Sequence, residues 1–109
     1  MKSRLHIDSR GNKFWKLPNG QLHREDGPAI EWVFGAKIWY KNGLKHREGG
    51  PAYIRGNIKQ WFVNGELHRT NGPAHQSNFD NLYYIEGVFY EKELFKEKAR
   101  KYKLSKILS

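Results

Sequence analysis

The sequence predicts an all-β protein in which tandem antiparallel β-hairpins form a single curved sheet, capped by one carboxy-terminal α-helix. Three observations predict it. First, the stretch Trp39-Tyr40-Lys41-Asn42-Gly43-Leu44-Lys45-His46-Arg47-Glu48-Gly49-Gly50-Pro51-Ala52 recurs. Upstream stand Trp15, Asn19-Gly20, His23-Arg24 and Gly27-Pro28-Ala29; downstream stand Trp61, Asn64-Gly65, His68-Arg69 and Gly72-Pro73-Ala74. The turn glycines fall at 20, 43, 65 and 87, in steps of 23, 22 and 22. A period this short marks units that must stack on one another to bury a face. Second, Asn-Gly between alternating apolar runs is the strongest short signal for a two-residue hairpin. Third, residues 91–108 contain good helix formers with no Gly or Pro.

Residues 1–12 are a polar lead-in where Leu5 and Ile7 alternate with His6 and Asp8, the pattern of a capping edge strand, and Ser9-Arg10-Gly11-Asn12 reads as a turn. Residues 13–80 hold three copies of the repeat. In the second copy, counting outward from Asn42-Gly43 sets Lys41 opposite Leu44, Tyr40 opposite Lys45 and Trp39 opposite His46. In the third, Asn64-Gly65 sets Val63 opposite Glu66, Phe62 opposite Leu67 and Trp61 opposite His68. The first copy carries one extra residue, and a three-residue loop Pro18-Asn19-Gly20 restores the pairing of Trp15 with His23. Cross-strand aromatic pairs contribute roughly 0.2–1 kcal/mol each, so a row of them fixes the register.

Each copy closes with Gly-Pro-Ala. Proline has no amide hydrogen and fits the start of a strand, so a third strand is expected at Ala29–Val33 and at Ala52–Arg55. The corresponding Ala74-His75-Gln76-Ser77 is too polar for one. Residues 81–90 form a degraded fourth hairpin, with Tyr83 opposite Tyr90 and the turn at Glu86-Gly87. In the helix, acidic residues lead and basic ones follow, as the helix dipole favours. Phe95, Ala99 and Tyr102 share a stripe that docks on the sheet, while Leu104, Ile107 and Leu108 lie elsewhere, so the last turns fray or order on a partner.

Composition fits one domain over residues 1–109. The 38% hydrophobic content is low and the 15% aromatic content high, so burial comes mainly through rings. The absence of Cys excludes disulfides and thiol chemistry. The amino terminus lacks an apolar signal core and no run reaches membrane-spanning length, which predicts a cytoplasmic protein that does not engage a membrane. Net charge is +9 and the pI is near 9.9, a balance that favours nucleic acid, an acidic protein surface or an anionic membrane as partner. Residues 88–109 carry 7 basic and 3 acidic side chains, the densest positive segment.

An aromatic before Asn-Gly, a His shortly after it and a closing glycine resemble the MORN-type repeat family. The resemblance covers residues 11–90. The form here, His-Arg-x-x-Gly-Pro-Ala, departs from the usual pattern, because Arg24, Arg47 and Arg69 stand where many members have Gly. This variant resembles hypothetical proteins of bacteriophages and large DNA viruses. The resemblance implies a non-catalytic contact surface. It also implies a phage-encoded inhibitor or adaptor that binds a host protein or nucleoprotein complex, of the anti-defence type, in the host cytoplasm.

The residues themselves supply no catalytic constellation. The acids sit in turns or on the helix without glycosidase-like pairing, each Gly is explained by a turn, and neither a cofactor nor a metal is expected. With three strands per copy, His23, His46 and His68 each stand about 14 Å from the next and cannot share an ion. Two readings of the His-Arg pairs stay open: packing of His against Trp, or cations that grip phosphate. On strict alternation His and Arg point to opposite faces. His then falls with Trp15, Leu17, Trp39, Trp61 and Val63, and Arg with Phe14, Leu22, Ile38, Tyr40, Phe62 and Leu67. The expected partner-binding residues are Arg24, Arg47 and Arg69, with Lys98, Arg100, Lys101 and Lys103 on the helix. Charge reversal at the three Arg should then weaken binding and leave melting nearly unchanged. The alternative function is direct binding of RNA or DNA through the basic surface and helix. Two unprotected sheet edges leave room for a homodimer.

Overall fold

In a computed structural model that describes residues 2–108, the chain is mostly β with one carboxy-terminal helix. The strands are β1 (Arg4–Ile7), β2 (Lys13–Lys16), β3 (Ile30–Glu31), β4 (Lys37–Ile38), β5 (Tyr40–Lys41), β6 (Leu44–Lys45) and β7 (Tyr53–Arg55). They continue as β8 (Ile58–Gln60), β9 (Phe62–Val63), β10 (Glu66–Leu67), β11 (His75–Gln76), β12 (Asn81–Ile85) and β13 (Val88–Tyr90), and α1 (Lys92–Leu108) closes the chain. All pairings are antiparallel. The main sheet has nine strands in the order β1-β2-β3-β4-β7-β8-β11-β12-β13, and it stays open, with β1 and β13 as unjoined edges.

The sequence predicts that all the hairpins join one sheet; instead β5-β6 and β9-β10 form separate two-strand ladders. The cause is the Gly-Pro corner. Pro28, Pro51 and Pro73 have no N–H, so the main ladder stops beside them and the hairpin arms project beyond it. Each arm then bonds to the previous one: Gly43 N–H donates to the Leu22 carbonyl (2.9 Å), Gly65 to Lys45 (2.8 Å) and Gly87 to Leu67 (2.9 Å). Equivalent positions are therefore two strands apart, about 10 Å, rather than three strands and about 14 Å. Even so, this is too far for one ion, and no cluster of metal-ligating side chains occurs among the described residues.

The hairpin registers follow from the turns. Lys41 pairs with Leu44, Val63 with Glu66 and Tyr83 with Tyr90, and His46 N–H donates to the Trp39 carbonyl at 3.1 Å. Both central residues have positive φ in Asn42-Gly43 (49° and 83°) and Asn64-Gly65 (49° and 85°). That is the type I′ geometry whose twist matches the strands. The fourth turn keeps it with Glu86 at φ 48°, an uncommon conformation for a residue with a long side chain. In the first copy, Leu17 N–H bonds to the Gln21 carbonyl (2.9 Å) and Lys16 bridges Leu22, the register of a three-residue loop.

The third copy corrects one expectation. His75–Gln76 is a strand despite its polarity, because it is laddered to β8 on one side and β12 on the other. Two-sided pairing determines the strand here, not apolar content.

The core is thin. Its most buried members are small: Ala29, Ala52 and Ala74 are fully shielded, and no large side chain is. Extending the strand registers puts Trp15, Ala29, Trp39, Ala52, Trp61, Ala74, Tyr83 and Tyr90 in one cross-strand row. The backbone N–H groups of Trp15, Trp39 and Trp61 donate to the carbonyls of Ala29, Ala52 and Ala74 at 2.8, 2.7 and 2.8 Å. Rings alternate with alanines, so each ring has room to lie down on the sheet. The helix closes this row. Phe95 and Ala99 are buried against Ile85, with Tyr83, Tyr90 and Tyr102 around them, and the Phe95 and Tyr83 ring centroids are 4.7 Å apart. The helix runs to Leu108 with Leu104, Ile107 and Leu108 exposed.

Candidate functional site

The same contact set recurs over the rings of Trp15, Trp39 and Trp61. The guanidinium of Arg24 lies 3.8 Å from the Trp15 ring centre, Arg47 3.9 Å from Trp39 and Arg69 3.8 Å from Trp61. Each Nη1 donates to the carbonyl of the corner proline: Pro28 (3.1 Å), Pro51 (3.0 Å) and Pro73 (3.1 Å). The glycine before that proline makes space for the fork. A Cβ on Gly27 or Gly50 would meet the guanidinium carbon at 2.9 Å, and one on Gly72 would meet Nη1 at 3.0 Å. Burial lowers the pKa of Arg69 from its ordinary value, as it does for a cation drawn out of water.

This corrects the face assignment. Alternation places Arg opposite to Trp, but the hairpin strands end before the His, at Lys45 and Leu67, so Arg folds back over the ring. His46, Arg47 and Trp39 line one groove together. The three Arg are thus held by their own copies rather than projecting from them. Arg24 also bonds to Asp26 (3.0 Å) and Glu31 (3.0 Å).

The histidines hold one copy to the next. Nδ1 of His23 accepts from the Asn42 N–H at 3.0 Å, Nδ1 of His46 from Asn64 at 3.0 Å and Nδ1 of His68 from Glu86 at 2.9 Å. Each ring satisfies the turn amide of the following hairpin, a role that pairing with Trp alone does not reveal. An Nδ1 that accepts cannot also carry a proton. For His68, burial lowers the pKa below the ordinary 6.5, against the pull of Glu86 and Glu66 and with the push of Lys106; its ring also contacts Tyr102 at 5.1 Å. The unfolded chain therefore takes up this proton more readily than the folded one. The His68 contribution is intact above pH 6.5 and is lost as pH falls below it. Urea midpoints measured from pH 7.5 to 5 should decline in the parent and decline less in His68→Gln.

The helix cations divide into two flanks. Lys92, Lys96, Arg100 and Lys103 form one exposed stripe at spacings of four, four and three. They rim a groove of about 520 Å³ whose floor is Tyr83, Phe95 and Ala99 and whose far wall is Thr70, Asn71 and Gly72. Lys98 is half-buried on the other flank, and Lys101 there bonds to Glu97 at 3.2 Å. Of the helix residues expected to bind, the groove collects Arg100 and Lys103 but not Lys98 or Lys101. It adds Lys92 and Lys96, which helical spacing from Arg100 could have identified. The wall is also unlike its counterparts. Where the earlier loops carry Glu25-Asp26 and Glu48-Gly49, this one carries the uncharged Thr70-Asn71, so no acid opposes the four cations from that side.

No protein-family model, curated protein or solved structure is significantly similar to this chain. No helix among the described residues is long and apolar enough to cross a membrane.

Proposed function

We propose that this is a non-catalytic binding protein that works by stoichiometric contact with a protein or nucleoprotein partner. Its contact site is the groove between α1 and the Thr70–Gly72 loop. The observation that carries this reading is the apolar floor of Tyr83, Phe95 and Ala99 under a rim of four cations that faces no acid on the loop wall. An amphipathic acidic segment of a protein matches both, with apolar side chains on the floor and carboxylates on the rim. The open slab, 47 × 35 × 18 Å, suits a platform that occludes a surface on its target. The resemblance to MORN-type repeats in phage and viral proteins would make that target a host complex and the effect inhibition or adaptation.

The test is affinity capture after nuclease treatment, comparing the parent with the triple variant Lys96→Glu, Arg100→Glu, Lys103→Glu. These side chains are exposed, so the variant should keep its fold. The expected result is a partner recovered in near-equal molar amount by the parent and lost by the variant. Equal recovery by both, or loss of all partners on nuclease treatment, would contradict the reading.

A further inference from the structure

Two residues before Trp15, Trp39 and Trp61 stands a lysine: Lys13-Phe14-Trp15, Lys37-Ile38-Trp39 and Lys59-Gln60-Trp61. The registers join these lysines in one cross-strand row. Lys13 pairs with Glu31, Glu31 with Lys37, Lys37 with Ile54, Ile54 with Lys59, Lys59 with Gln76 and Gln76 with Asn81. Residues paired directly across strands share a face, and so do residues two apart along a strand. The lysines therefore lie on the Trp face, one per copy, about 10 Å apart. All three are exposed. The one acid within the row, Glu31, bonds to Arg24 at 3.0 Å. Of the acids on the neighbouring loops, Asp26 bonds to Arg24 at 3.0 Å and Glu25 to His23 at 2.8 Å. The row ends at Asn81, beside Tyr83, Glu91 and Lys92.

We infer that the Lys13–Lys37–Lys59 row is a binding site for the phosphodiester backbone of a nucleic acid. Its cations are evenly spaced, as are the charges on a polymer that carries one per unit, and the one carboxylate between them, Glu31, is held by Arg24 at 3.0 Å. The lysines are mobile point charges that follow a backbone without demanding one geometry. The Trp rings beside them are covered by guanidinium groups, which leaves no free ring face for stacking a base. Recognition is accordingly of backbone rather than sequence. This surface is separate from the helix groove and stands whether or not that groove holds a protein.

The experiment is fluorescence anisotropy between 50 and 200 mM salt with a labelled single-stranded RNA, a labelled DNA duplex and a labelled polyglutamate. Two variants are compared with the parent: Lys13→Gln, Lys37→Gln, Lys59→Gln on the Trp face, and Arg4→Gln, Lys16→Gln, Arg55→Gln on the opposite face. Both remove the same charge. The expected result is binding of the RNA, the duplex or both, with polyglutamate at least tenfold weaker. The lysine variant should lose at least tenfold in affinity. On the single strand its log–log salt slope should shrink by about 2, near 0.7 for each phosphate no longer neutralised. The opposite-face variant should stay close to the parent, and both variants should melt like the parent. Failure of the parent to bind either nucleic acid at 50 mM salt would overturn the inference. Equal loss by the two variants, or polyglutamate binding as tight as nucleic acid, would do the same.

Discussion

Trp61→Ala is expected to lower the free energy of unfolding by about 3 kcal/mol, the low end of the range for removing a large ring from a core. The low end applies because Trp61 is half-buried. Its ring lies between Ala52 and Ala74 in the cross-strand row, and those alanines are fully shielded only while the rings on either side lie over the sheet. Removing it also withdraws the surface on which Arg69 rests at 3.8 Å. The alanines cannot swell to fill the space, so Ala52 and Ala74 are left open to water. Trp15→Ala should cost less, since its neighbour on one side is Leu5 of β1, 45% exposed at the sheet edge. Urea denaturation reads both, as a fall in midpoint at constant slope. A loss below about 1 kcal/mol for Trp61→Ala would mean that the rings decorate the sheet rather than hold it.

Arg47→Glu should cost about 2–3 kcal/mol. The guanidinium over Trp39 contributes about 1–2 kcal/mol as a partly desolvated cation on a ring, and its bond to the Pro51 carbonyl about 1 kcal/mol more. The substituted carboxylate would face the ring's electron-rich side and stand one residue from Glu48. Arg47→Lys should fall between parent and Glu, because lysine keeps the charge but cannot stack and reach Pro51 with one planar fork. The sequence alone suggests the opposite, that reversal at Arg24, Arg47 and Arg69 leaves melting unchanged. A thermal melt of Arg47→Glu coincident with the parent would restore that view.

Much of the architecture is legible because turn chemistry is local. Asn42-Gly43 and Asn64-Gly65 announce their hairpins and fix who faces whom. The extra residue of the first copy is readable through Pro18. The docking stripe of Phe95, Ala99 and Tyr102 follows from helical spacing. What escapes the sequence is set by neighbours in the next copy. His75-Gln76 becomes a strand because two ladders flank it, and His46 accepts from Asn64, a residue 18 positions away. The Arg side chains are misplaced by alternation because it governs a strand only while the strand continues, and the hairpin strands stop at Lys45 and Leu67, ahead of the His-Arg pairs. The groove cations are half legible, since charge density along α1 gives no flank until the docked face is known.

Cations on this surface fall into two sets: arginines that hold the fold and lysines that leave it unaffected. Urea unfolding of two triple variants separates them most directly. Arg24→Gln, Arg47→Gln, Arg69→Gln should lose at least about 3 kcal/mol, from three stacks and three carbonyl bonds. Lys13→Gln, Lys37→Gln, Lys59→Gln should stay within about 0.5 kcal/mol of the parent, as exposed substitutions do. An arginine variant as stable as the parent would contradict the account.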